Sequence, residues 1–167
     1  VLTSEAGVPV DLDYAEECRA GLQRDIDEVK RQVRLCPEVH QYERKHGRFE
    51  AGNPDHVLRL MWNVLKRPEV CVVEKGATRY TTDEEALAKI PDAEVPVAAL
   101  VLKLRTVEKL LSTYIAPLLS GAMTGADGMI HSRYQSTVAV TGRLASEDPN
   151  IQNFPKRKNK HIRRSEE

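Results

Sequence analysis

The stretch Asp127-Gly128-Met129-Ile130-His131-Ser132-Arg133-Tyr134, followed by Thr137-Val138-Ala139-Val140-Thr141-Gly142-Arg143-Leu144-Ala145-Ser146-Glu147-Asp148-Pro149-Asn150-Ile151-Gln152-Asn153, decides the fold. Residues 130–141 are rich in Ile, Tyr, Thr and Val, the β-branched and aromatic types that fit a pleated surface. They predict a strand or hairpin. Asp148-Pro149-Asn150 predicts a turn, because proline fixes φ and Asn and Asp side chains satisfy nearby backbone groups. Gly121, Gly125 and Gly128 mark loops between this region and what precedes it.

Upstream the pattern is helical. Asp13 is placed to cap a helix with Glu16 as its capping-box partner. Cys18, Leu22, Ile26, Val29 and Val33 then form one apolar stripe as far as Pro37, which ends it. Residues 40–50 read as polar and irregular. Asn53-Pro54-Asp55 starts another helix, with Val57, Leu58, Met61, Val64 and Leu65 as its inner side and Pro68 as its stop. Residues 70–73 are a short apolar run and Lys75-Gly76 a turn. Thr82, with Glu85 in the box position, caps a small helix that Pro91 closes. Pro96 opens a second long helix through Val97, Leu100, Leu104, Val107, Leu111 and Tyr114. The two long stripes predict an antiparallel helical pair. The fold class expected is α+β.

The 167 residues are enough for about one domain. With 41% hydrophobic and 30% charged residues the chain is globular, and no apolar run reaches the roughly 20 residues of a membrane helix. No membrane partner is expected. Val1 and the residues after it show no signal-peptide pattern, and an internal start fits a cut or processed product. Three widely spaced cysteines, Cys18, Cys36 and Cys71, predict small core thiols in a reducing, cytoplasmic compartment. His40, His46, His56, His131 and His161 are scattered, so no metal site is assigned, and His131 reads as structural. Net charge is zero, from 25 basic and 25 acidic residues, but Lys156, Arg157, Lys158, Lys160, Arg163 and Arg164 crowd the end. Such a run is a solvated tail or a nucleic-acid contact.

The quoted stretch resembles family A DNA polymerases, the DNA polymerase I type. Their D-G-x-I-H-x-R-(F/Y) hairpin is similar to residues 127–134. Their T-G-R-L-(S/A)-S-x-D-P-N-(L/I)-Q-N run is similar to residues 141–153. Lys109-Leu110-Leu111-Ser112-Thr113-Tyr114 resembles their K-L-x-S-T-Y helix end. Weaker likeness runs back through Thr81-Thr82-Asp83, residues 49–58 and Gly7-Val8-Pro9-Val10-Asp11, so nearly the whole chain is covered. The resemblance implies a helical thumb over residues 1–118 and a β-rich palm entrance with a basic tail over 119–167. The source expected is bacterial or phage, with a cytoplasmic, nucleoid-associated location.

The resemblance also implies roles. Arg143 would reach the minor groove near the primer terminus. Purine N3 and pyrimidine O2 present acceptors there at nearly the same place in every correct pair. Asn150, Gln152 and Asn153 would contact the primer–template duplex, or else cap backbone. Thr137 and Thr141 would touch the primer strand. Asn53, at a helix start, and Lys75, Arg79, Thr81 and Thr82 would meet phosphates. Arg105 and Lys109, four apart on one helix, share a face that could do the same.

The family's metal-binding carboxylates and its fingers helix have no match here and would follow Arg164. The expectation is therefore no cofactor bound by these residues and Mg2+ for the complete polymerase, with the isolated chain adding no nucleotides. The partners expected are primer–template DNA and the fingers and remaining palm. Two departures stand out. The tail lacks the glycine usual between the Q-N-x-P and I-R segments, which unsettles the roles of Arg157 and Arg163. Met129 replaces a common basic residue. The alternatives are a non-catalytic DNA-binding module or one half of a split polymerase, and, more remotely, a helical interaction protein with an incidental tail.

Overall fold

The computed structural model describes residues 2–3, 7–74, 77–135 and 145–154. It combines helices with three small antiparallel sheets, so the α+β class holds. Contacts divide the chain into two compact units, one of Val1–Gln23 with Lys109–Glu167 and one of Arg24–Glu108.

Among the described residues the first unit holds all but one of the strand pairs. Strand β1 (Leu2–Thr3) pairs with β6 (Arg133–Gln135), which pairs in turn with β7 (Ala145–Glu147). Strand β2 (Val8–Pro9) pairs with β5 (Met129–Ile130), Val8 opposite Ile130. All pairings are antiparallel. The lead-in at Gly7 thus joins the C-terminal β region. Gly7 has φ +65°, and a Cβ there would fall 2.8 Å from the Met129 Cβ, so only glycine fits. An apolar cleft of about 390 Å³ lies within this unit, lined by Val8, Tyr14, Cys18, Ile115, Ile130 and Phe154 among others.

Helix α1 (Leu12–Leu35) carries the expected stripe: Cys18, Leu22, Ile26, Val29 and Val33 are all buried. Its cap is Asp11, whose Oδ1 accepts from the Tyr14 N–H at 2.9 Å, and not Asp13, which sits inside the first turn. The helix starts two residues earlier than the capping-box pattern suggests.

In the second unit α1 gives way at once to α2 (Pro37–His46). Pro37 is both the stop of one helix and the first residue of the next, where its missing N–H costs nothing. Of the stretch expected to be irregular, residues 40–46 are therefore helical and 47–50 are not, with Val39 and Tyr42 buried and the Tyr42 ring edge-on to Phe49 at 5.3 Å. Helix α3 (Pro54–Leu58) widens into a π-helical stretch, Arg59–Val64, closed by Leu65 N–H to Leu60 C=O at 2.9 Å. The wider turn changes the phase. Val57, Leu60 and Met61 are buried, whereas Leu58, Val64 and Leu65 are only half-buried.

Strands β3 (Cys71–Glu74) and β4 (Ala77–Tyr80) pair antiparallel on either side of the expected turn. Helix α4 (Glu84–Ala88) is capped by Asp83, whose Oδ1 accepts from Ala86 N–H at 2.9 Å, and not by Thr82. Helix α5 (Pro96–Leu110) buries Val97, Ala98, Val101, Leu104 and Val107. It runs on through a π-helical stretch, Leu111–Ile115, into α6 (Ala116–Leu119). Pro117 explains the widening: it offers no N–H to Thr113, and the Ala116 N–H bonds instead to Leu111 C=O.

Cys18 and Cys36 are buried thiols in no disulfide, and burial pushes both up, whereas Cys71, also expected in the core, is only half-buried. Among the described residues no helix is long and apolar enough to cross a membrane.

Candidate nucleic-acid interface

In the first unit one turn organises the polar side chains. β6 and β7 bring Tyr134 opposite Ser146, and the chain then turns through Asp148-Pro149-Asn150 into a single 3-10 turn, Ile151–Asn153. Asn150 holds this turn: its Oδ1 accepts from the Gln152 N–H at 3.1 Å and from the Ser146 hydroxyl at 3.0 Å. The backbone-capping role is thus the one its geometry displays. Two distant groups anchor the turn. The Ser132 hydroxyl donates to the Pro149 carbonyl at 2.7 Å, and the Tyr114 hydroxyl to the Asn153 carbonyl at 3.0 Å. The Tyr114 ring also packs on Phe154, centroids 5.1 Å apart. Gln152 and Asn153 are exposed on this braced turn.

Sequence reading missed two parts of this arrangement. Tyr114 lies in the helical motif, but its reach to Asn153 across 39 positions has no local signal. Arg133 is exposed on β6, its guanidinium 3.8 Å from Asp148, a loose pair that leaves most of its donors to solvent. His131 bonds Asp127 at 2.8 Å, and that hydrogen bond, with the Met129 N–H, holds the Asp127 carboxyl below its usual range. The bond ties His131 back to the turn that begins at Asp127. Lys109 is exposed at the end of α5.

In the second unit the candidates divide. Arg105 and Thr82 come together: the Arg105 guanidinium donates to the Thr82 carbonyl and, at 3.2 Å, to its hydroxyl. Thr82 is buried, and desolvation pulls the Arg105 pKa down. Thr81 is also engaged, its hydroxyl 3.0 Å from Asp83, and that bond with the Ala86 N–H lowers the Asp83 carboxyl. Arg79 is exposed over a small cleft with Asp83, Glu85 and Lys89. Asn53 spends its side chain on its own helix, accepting from Asp55 N–H at 2.9 Å. It does, however, line a cleft of about 370 Å³ with Lys30, Arg34 and Arg48, whose basic character sequence reading passed over. Lys30 is paired with Glu108 at 3.0 Å.

Arg143, Thr137, Thr141 and Lys75, with Arg157 and Arg163 of the tail, lie outside the described residues. Among the described residues no group of three His, Cys, Asp or Glu side chains is arranged to hold a metal ion.

The chain is 32% identical over 161 residues to DNA polymerase I of Bacillus subtilis (strain 168), covering 92% of this chain and 18% of that protein. It is 36% identical over 107 residues to DNA polymerase I of Caldicellulosiruptor bescii, covering 64% of this chain and 12% of the relative. A solved structure, the POL domain of Pol1 from M. smegmatis in complex with DNA primer-template and dNTP, matches with a TM-score of 0.68 and 26% identity. That match covers 93% of this chain and 25% of the other. The chain therefore spans a small part of the curated relatives it matches. The model of DNA polymerase family A matches residues 13–165, and the chain belongs to that family.

Proposed function

We propose that this chain is the part of a DNA-directed DNA polymerase that grips the primer–template duplex. Residues 1–118 serve as a thumb in which α1 and α5 run antiparallel, and 119–167 begin the palm. The observation that carries the reading is the turn at Ile151–Asn153. Asn150, Ser132 and Tyr114 hold the backbone of that turn, from which the exposed Gln152 and Asn153 project. A backbone braced this way lowers the ordering cost of meeting a ligand. The likeness to a polymerase domain solved with DNA primer-template supports DNA as that ligand.

A polymerase must hold every sequence equally well. It therefore binds phosphates and the minor-groove acceptors that all correct pairs share. Arg143 stands two positions before β7 in the sequence and carries a fixed fork of donors suited to those acceptors. Thr137 and Thr141 lie in the same connection and would meet the primer strand. Gln152 and Asn153 extend the contact along the duplex. Lys109, Arg79 and the basic cleft beside Asn53, with Arg34 and Arg48, take phosphates. So does Lys75. Thr81, Thr82 and Arg105 act through the fold that positions them.

Nucleotide addition is the work of the complete polymerase with Mg2+, whose carboxylate ligands and fingers lie outside these residues. The chain by itself incorporates no nucleotides.

Binding of the chain to a fluorescent primer–template, followed by anisotropy at several salt concentrations, tests the grip. Affinity falls as salt rises, because phosphate contacts release counterions. Arg143→Ala weakens binding about tenfold at a recessed primer end, the size of one good base-edge contact. Binding indifferent to salt, or to Arg143→Ala, would overturn the reading.

A further inference from the structure

The β3–β4 hairpin presents two unlike faces. Residues alternate across a strand, and the register sets Cys71 opposite Tyr80, Val72 opposite Arg79 and Val73 opposite Thr78. Arg79 and Val72 share the face that lines the cleft with Asp83, Glu85 and Lys89 of the α4 region. Tyr80 and Val73 lie on the other face. Both are large apolar groups left open to solvent, Tyr80 at 45% and Val73 at 69% exposure. Against Tyr80 packs Trp62 of the π-helical stretch, ring centroids 4.7 Å apart and planes tilted by 49°. Trp62 is itself only half-buried.

An exposed aromatic pair is an unusual use of surface, since each ring would gain from being covered. Its electrical surroundings point to the cover. Arg59 stands three positions before Trp62 and Lys66 four after, both exposed, and neither forms an ion pair among the described residues. Residues 56–67 contain no Asp or Glu. A partner that offers flat aromatic faces and negative charge at regular spacing suits an aromatic pair whose own stretch carries such cations and no acid. Unpaired nucleotides of a single DNA strand have both.

We infer that the Trp62–Tyr80 pair is a stacking platform for an unpaired nucleobase of single-stranded DNA, with Arg59 and Lys66 taking the adjoining phosphates. This site goes beyond the duplex grip and rests on that reading only in taking DNA as the polymer. It is independent of Arg143 and of the turn at Asn150.

Trp62 is the only tryptophan, so intrinsic fluorescence reports on the platform directly. The chain is titrated with oligo(dT) and with an abasic oligomer of equal length, which keeps the phosphates and removes the bases. Oligo(dT) quenches saturably and the abasic strand does not. Tyr80→Ala weakens oligo(dT) binding about tenfold by anisotropy, the scale of one lost base stack. Tyr80→Phe, which keeps the ring, retains affinity and guards against a folding defect. Equal quenching by the abasic strand would reduce the site to phosphate contacts. No quenching by either strand would leave the hairpin face to a protein partner. Either result overturns the inference, as does unchanged binding by Tyr80→Ala. If oligo(dT) quenches while primer–template binding ignores Arg143→Ala, the duplex grip fails and the platform stands.

Discussion

The Tyr114 hydroxyl donates to the Asn153 carbonyl at 3.0 Å, tying the end of a long helix to the turn that presents Gln152 and Asn153. The same ring packs on Phe154. Tyr114 and Asn153 lie in the two stretches that carry the resemblance, one helical and one in the turn, and this hydrogen bond joins them. Tyr114→Phe keeps the ring and deletes one hydrogen bond. It lowers stability by about 1 kcal/mol, read from the denaturant midpoint, and loosens primer–template binding through the displaced turn. Unaltered stability and binding would remove Tyr114 from the positioning of that turn.

Arg105 and Thr82 test whether a basic residue near candidate contacts is itself a contact. Replacing Arg105 by Met removes charged hydrogen bonds to a buried threonine. The expected cost is about 1.5–3 kcal/mol of stability. The salt dependence of DNA binding stays as in the parent chain, because no phosphate contact is lost. A shallower salt slope with stability intact would make Arg105 a DNA ligand instead.

The phase shift in the π-helical stretch gives a paired prediction. Leu60 is wholly buried and Leu58 only partly. Leu60→Ala costs about 2–5 kcal/mol in thermal or chemical unfolding, as large-to-small core changes do, and Leu58→Ala costs much less. The reverse order would restore the regular helical phase.

Asp83 supplies a pH test. The Ala86 N–H, then the Thr81 hydroxyl, lower its folded carboxyl below the ordinary 3.8. A depressed carboxyl adds stability that is fully present above its unfolded value and lost as pH falls through the folded one. Asp83→Asn keeps a capping side chain but cannot titrate. The stability gap between parent and variant therefore holds from neutral pH down to 3.8 and narrows over the acid range below it. A gap constant across that range would deny Asp83 its charged role.

Much of this was legible in the sequence where one element states its own case. The stripe from Cys18 to Val33 is a repeat every three or four residues, and every member is buried. Asn53 reads as a cap and is one. Punctuation was harder, since one residue can end or begin a helix: Pro37 does both, and Asp83 and Asp11 took caps assigned to Thr82 and Asp13. The π-helical stretches erased a regular phase, which hid Leu60. Long-range pairs such as Arg105 with Thr82, Tyr114 with Asn153 and Trp62 with Tyr80 leave no periodic trace, because they are set by how elements meet. The candidate site was readable as motif over residues 141–153, and its bracing was not.

The most direct measurement sets a recessed primer–template against a blunt duplex of equal charge, in competition for the chain at moderate salt. The duplex-grip account predicts clear preference for the recessed end, and loss of that preference in Arg143→Ala with general affinity largely kept. Equal binding of the two DNAs by the parent chain would contradict it, leaving a basic surface that holds DNA without recognising where a primer ends.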